Sequence, residues 1–296
     1  MSDCGQHALV VIAFIGSVFS PYYHWAGRRA PENHVAFNVA LYGPGGACWA
    51  MTERGRGSLS RGPHGIRIGG SSLHMDGTAL HIDFDEMALP WPGQRLLPRR
   101  IAGSIRLVPD TVTNDSFALD PAGHHHWAPR IPAGCVTVET DAVPGGGWRG
   151  HGYHDSNWGD RPLESDFAGW DWARGRTAAG DTLLLYDARL RDGTGRNLAL
   201  RLSDCDGALT PVPAIQRQEM SRGFWGVRAG IACDSDARPE MVRALEDSPF
   251  YRRSLVQTVL AGEKVAMMQE SLDCRRLASP LVRLMLPFRM PRRVSS

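Results

Sequence analysis

Thirty-three glycines and twenty prolines interrupt this chain about every five or six residues. Glycine weakens helices and proline breaks them, so the rhythm leaves room for strands and little room for long helices. Between the interruptions lie short apolar runs of strand length. Leu9 to Ile15 is β-branched and apolar. Val35 to Tyr42, the turn Gly43-Pro44-Gly45-Gly46, and Cys48 to Glu53 read as a hairpin. Thr78 to Glu86 alternates, with Leu80, Ile82 and Phe84 on one face and His81, Asp83 and Asp85 on the other, the pattern of a half-buried strand.

Ile101 to Val108 and Cys135 to Thr140 are similar, and Thr182 to Leu190 with Asn197 to Leu202 flank the clearest turn, Arg191-Asp192-Gly193-Thr194-Gly195-Arg196. Phe224 to Ala229, Leu255 to Leu260 and Lys264 to Ser271 are further expected strands. Only Asp273 to Leu286 has helical periodicity, with Leu277, Leu281, Leu284 and Met285 on one face. Many short strands of this kind imply sandwich or barrel domains. A length of 296 residues suits two domains, and Pro144-Gly145-Gly146-Gly147 is the best linker. The expected domains are therefore residues 1–147 and 148–296.

A net charge of +2 gives no global field for nucleic acid. Six widely spaced cysteines, none in a C-x-x-C pair, match neither a zinc signature nor a disulfide scaffold, so free and mostly buried thiols are expected. The apolar run Ala8 to Phe19 lacks a basic flank and is short for a membrane span.

The densest chemistry is in Gly150-His151-Gly152-Tyr153-His154-Asp155-Ser156-Asn157-Trp158-Gly159-Asp160, followed by Trp170-Asp171-Trp172. An acid, a phenol, imidazoles and indoles on a glycine-hinged segment suit a site that moves protons and tolerates positive charge. The same residues also suit a turn whose aromatic groups fill a core.

Several stretches together resemble the carotenoid 1,2-hydratase (hydroxyneurosporene synthase) family of phototrophic bacteria. They are Ala13 to Tyr23, Pro31-Glu32-Asn33-His34, Asn38 to Gly43, Trp49 to Gly55, the Gly150–Asp160 motif with Trp170-Asp171-Trp172, Leu245-Glu246-Asp247 through Tyr251, and Ser279 to Arg293. The resemblance implies an all-β fold of two lipocalin-like (calycin) β-barrels in tandem, with a short C-terminal helix. Family members usually carry an extra aromatic-rich segment upstream, so a missing first barrel strand is one expectation here. The implied activity is hydration of the terminal C1–C2 double bond of an acyclic carotene such as neurosporene or lycopene, with no cofactor; no metal is expected from the spacing of the histidines.

Hydrating an isolated alkene means protonating carbon, which demands a positioned acid. Asp155 is the candidate, and Tyr153 shares its face if the segment is extended. The resemblance maps a functional His-x-Trp step onto His125 and Trp127, within His124-His125-His126-Trp127. His125 would accept the proton of the attacking water, and Trp127 and Trp158 would stabilise the cation through their π-faces. His154, Trp170 and Trp172 are further substrate-binding candidates, although Trp170 and Trp172 also read as barrel core with Asp171 facing the other way. His151 reads as a turn residue. Three successive histidines cannot easily face one ion, and a solvated loop is the alternative reading of that triplet.

The last 22 residues hold six arginines and no acid, interleaved with Leu281, Leu284, Met285, Leu286, Phe288 and Met290. That composition suits contact with an anionic membrane, with Arg283, Arg289, Arg292 and Arg293 on head groups and Leu286, Phe288 and Met290 in the interface. A C-terminal helix packed on the barrel is the alternative. The expected location is cytoplasmic, at the periphery of the inner photosynthetic membrane, and the expected partners are the carotenoid and water. A non-catalytic carotenoid or lipid carrier is the competing function, and a hydrolase using the His cluster lacks a G-x-S-x-G elbow.

Overall fold

The computed structural model describes residues 1–91, 94–205, 207–212 and 216–293. The end of the basic tail, residues 294–296, lies outside the described residues. The chain forms two compact units that do not follow one another along the sequence. One comprises Met1–Asp110, Ala133–Tyr153 and Arg283–Ser296, and the other Thr111–Pro132 and His154–Val282. Pro144–Gly147 is therefore no junction between them: it lies in the turn between the strands His125–Thr140 and Gly147–Gly159.

In the first unit, Val35–Gly43 is buried along its whole length, as a run with no polar face must be if it is central. It pairs with Ala8–Ile15 on one side and Gly46–Arg54 on the other. The alternating segment is a strand from Leu80 to Ala88, with Leu80, Ile82 and Phe84 buried. The C-terminal tail also belongs to this unit. Arg292–Arg293 pairs parallel with Gly46–Arg54, and Met290 is buried with Ala36 and Met51, against Phe14, Phe19 and Trp49.

That packing overturns most of the expected lipid contacts of the tail. Arg289 lies over the rings of Trp49 and Trp91 at 5.2 and 4.9 Å, and Arg283 donates to His24 at 2.7 Å. Arg292 bonds the buried Glu53 carboxylate and the Asn33 carbonyl. Leu286 and Met290 are buried, whereas Phe288 and Arg293 are exposed. A basic apolar sequence meets the requirements of a lipid surface and of an acidic, aromatic protein surface equally well, and here Glu53, Trp49 and Trp91 supply the latter.

The second unit is built on one antiparallel sheet. Its strands run in the order Leu209–Pro211, Gly195–Leu202, Thr182–Leu190, Phe167–Arg176, Glu263–Asp273, Tyr251–Leu260 and Glu240–Asp247. One face carries a core of Ala173, Leu183, Leu185, Val256, Val265 and Met267. A hairpin, Gln216–Glu219 with Gly230–Cys233, adds Ala229, Ile231 and Ala232 to that core. The segment Phe224–Ala229 is the tip of this hairpin rather than a strand. The single expected helix is two, Cys274–Leu277 and Pro280–Met285, because Pro280 has no N–H to continue the first. Leu277 is buried, but Leu281, Leu284 and Met285 face outward. Cys48, Cys233 and Cys274 are buried, while Cys4, Cys135 and Cys205 are exposed, more than composition suggests.

Candidate active site

Strand alternation divides the second unit's sheet into two chemically different faces. Asp171 points to the core face and is buried there. Its carboxylate accepts from Arg189 at 2.5 Å, from Arg217 at 2.6 Å and from the Ser271 hydroxyl. This cluster closes one end of the apolar core, and a carboxylate with so many donors is fully engaged. Trp170 and Trp172 point to the opposite face, as their alternation with Asp171 requires.

On that second face Trp172 pairs with Tyr186 across the sheet. Tyr186 is 6% exposed, and its ring lies 5.4 Å from Trp127 and 5.9 Å from Trp170. Trp170 in turn meets Tyr251 edge-on at 6.4 Å. Trp127 is fully buried, and its indole N–H donates to the Asp155 carboxylate at 2.9 Å. Asp155 is half-buried and also accepts from Asn157 at 3.4 Å. Tyr153 is two residues before Asp155 on the same strand and shares its face. Burial, and then the negative charge of Asp155, push the Tyr186 phenol far above its ordinary range. The phenol therefore stays protonated beside the acid.

His125 is buried at the start of its strand, not on a solvated loop. The turn before it is set by Asp120, whose carboxylate accepts from the N–H groups of Ala122, His124 and His125. Burial opposes ionisation of Asp120, but those N–H donors prevail and hold it below the usual carboxylate range. The His125 Nε2 lies 2.8 Å from Asp166, which Arg161 also approaches at 3.2 Å. The His125 ring stands edge-on to Phe167 at 4.8 Å. Its Nδ1 faces the backbone of Gly159, where a Cβ would come within 2.8 Å.

The remaining candidates lie elsewhere. His154 and Trp158 alternate with Asp155 and occupy the other face of their strand. There Trp158 stacks on His126 at 5.2 Å, with Arg130 over its ring at 5.8 Å. Trp158 is thus separated from the acid that it was expected to serve. Burial, with Arg130 second, lowers His154 to about 4, so it is neutral at physiological pH. His151 lies near Asp3 at 3.7 Å.

Tyr186, Asp166 and Tyr251 were not singled out by sequence. The only signal for Tyr186 was its place in an apolar strand, and finding it required the register with Phe167–Arg176. No group of three or more His, Cys, Asp or Glu side chains among the described residues is placed to hold a metal. What the cluster offers is a carboxyl group within an aromatic surround, reachable from outside, with an imidazole–carboxylate pair in the same unit.

Comparison with known proteins gives this site its context. The sequence model of the carotenoid hydratase CrtC family matches residues 11–296. An acyclic carotenoid 1,2-hydratase of Thiocapsa roseopersicina is 48% identical over 99% of this chain and 71% of its own. The Rubrivivax gelatinosus protein of the same name is 41% identical with the same coverage. That of Cereibacter sphaeroides is 39% identical over 96% of this chain and 98% of its own. A crystal structure described as AttH from Nitrosomonas europaea superposes with a TM-score of 0.54 over 80% of each chain. At 12% identity it bears on the fold alone.

Proposed function

The chain belongs to the carotenoid hydratase family, and on that premise we propose that it adds water across the terminal C1–C2 double bond of acyclic carotenes such as neurosporene and lycopene, with Asp155 as the acid. It is a hydro-lyase of acyclic carotenoids. The observation that carries the mechanism is the Trp127–Asp155 hydrogen bond beside the buried Tyr186 ring.

Asp155, in its protonated form, gives its proton to C2, and the π pair becomes the new C–H bond. The cation at C1 is tertiary, and the faces of Tyr186, Trp127 and Trp170 stabilise it without capturing it, each by ~0.5–2 kcal/mol. Water bonds to C1, His125 takes its proton through Nδ1, and that proton returns to solvent as Asp155 is reprotonated. The Asp166 carboxylate accepts from Nε2–H and so leaves Nδ1 as the basic nitrogen. No cofactor enters this scheme.

We read the strand-rich architecture as lipocalin-like, a reading supported by the AttH likeness. A forty-carbon hydrocarbon dissolves in membrane, so the enzyme works at a bilayer from the cytoplasmic side. No helix among the described residues is long and apolar enough to cross a membrane. Incubation with lycopene or neurosporene in detergent micelles tests the activity by mass. A water adduct that disappears in Asp155→Asn supports the proposal. Bound, unreacted carotene would identify a carrier instead.

A further inference from the structure

The hairpin between Gln216–Glu219 and Gly230–Cys233 ends in two adjacent aromatic residues. Phe224 is 89% exposed and Trp225 41% exposed, and their rings meet edge-on at 5.5 Å. The backbone of this tip is held from several sides. The Phe224 N–H donates to Asp247 at 2.5 Å, and the Gly226 N–H donates to the Gly223 carbonyl at 3.1 Å. Arg276 donates to the carbonyls of Trp225 at 2.7 Å and Pro249 at 3.2 Å. The buried Arg252 donates to the Ser221 carbonyl, and Val227 is fully buried. Two large apolar side chains are thus fixed outward, although burying them would be favourable. Arg222 and Arg228 flank them, and both are exposed. Arg276 belongs to the helix Cys274–Leu277, and the following helix turns Leu281 and Leu284 outward.

We propose that this tip is a membrane-docking wedge, with Phe224 and Trp225 entering the interface of an anionic bilayer and Arg222 and Arg228 on its phosphates. An indole belongs at the head-group level, where its ring is half in hydrocarbon and its N–H remains wet. Arginine flanks add attraction to an anionic surface and none to a neutral one. The inference rests on the carotenoid reading, which gives the enzyme a reason to visit a bilayer. It deepens that reading by naming the surface. It also moves the contact from the tail arginines, which Glu53 and the tryptophans engage, to a loop of the second unit.

The test uses the full chain and phosphatidylcholine vesicles with and without phosphatidylglycerol, free of carotenoid. Wild type should co-sediment with the anionic vesicles and release in high salt. Phe224→Asp with Trp225→Asp should weaken binding about tenfold or more at an unchanged melting temperature. Arg222→Gln with Arg228→Gln should weaken it and flatten the salt dependence. Bromolipid should quench a part of the fluorescence that Trp225→Phe removes. Wild-type binding that survives the double aspartate change would overturn the proposal. So would absence of vesicle binding, or a dimer that the double aspartate variant alone loses, which would assign the tip to self-association. Hydration of detergent-dispersed carotene, run in parallel, should be unaffected by the aspartate pair. Its absence in wild type would count against the hydratase reading and not against the wedge.

Discussion

The Asp166 carboxylate lies 2.8 Å from the Nε2 of His125, while the Nδ1 of the same ring faces the bare backbone of Gly159. A carboxylate only accepts, so Nε2 carries the hydrogen and Nδ1 is left basic. Asp166→Asn should present a donor to Nε2, reverse the tautomer and lower kcat with little change in KM. The pH–rate profile should lose the acidic limb that a general base imposes. A normal profile would make the pair purely structural. Gly159→Ala, which crowds Nδ1, should also lower kcat.

Asp155→Asn keeps the shape of the acid and can still accept from Trp127, but it has no proton to give. Hydration should fall by ~10²-fold or more while the circular dichroism and melting temperature hold. Near-normal turnover in a folded variant would remove Asp155 from its role.

Tyr186→Phe retains the ring and Tyr186→Leu does not. Losing one cation–π partner worth ~0.5–2 kcal/mol predicts about a twofold to thirtyfold loss of kcat for leucine and a much smaller one for phenylalanine. Equal losses in the two variants would mean that the hydroxyl, not the ring face, carries the effect.

Burial lowers His154 to about 4 from an ordinary value of 6.5, so the unfolded chain binds the proton more readily than the folded one. Stability should therefore fall as pH drops below about 6.5 and level off below about 4, with no His154 contribution above that window. His154→Gln should flatten this part of the profile. Denaturant titrations at pH 7 and pH 5 would detect the difference, and identical curves for both proteins would refute it.

Arg292→Met would leave Glu53 buried with His34 as its remaining neighbour. Removing one partner of a buried pair costs about 3–5 kcal/mol, so the melting temperature should fall well below that of wild type. Micelle turnover per folded molecule should remain. A stable variant would show that the tail is dispensable to the first unit.

Much of the strand pattern was written locally. The alternation of Leu80, Ile82 and Phe84, and the turn between Thr182–Leu190 and Gly195–Leu202, appear in the structure much as the sequence suggests. Asp155 could be named because it sits in a distinctive run, and Trp127 because the family resemblance maps a His-x-Trp step onto it. Tyr186 could not, because its neighbours depend on register between strands, which no single strand encodes. The tail shows the same limit. Its composition is compatible with phosphates, but the partner of Arg292 is a carboxylate 239 residues earlier. Trp158 is close to Asp155 in sequence, but three positions along a strand means opposite faces, and it stacks on His126.

The pairing of Arg292–Arg293 with Gly46–Arg54 has a bearing on synthesis. The residues that complete the first sheet leave the ribosome only after the whole of Thr111–Pro132 and His154–Val282 has been made. On a growing chain the second unit can be complete in sequence while the edge of Gly46–Arg54 still awaits its last partner, an opening for chaperones and proteases alike. A translation arrest near the end would then release a chain with a complete second unit and an unsealed first one. Quality control would meet that fault before catalysis did.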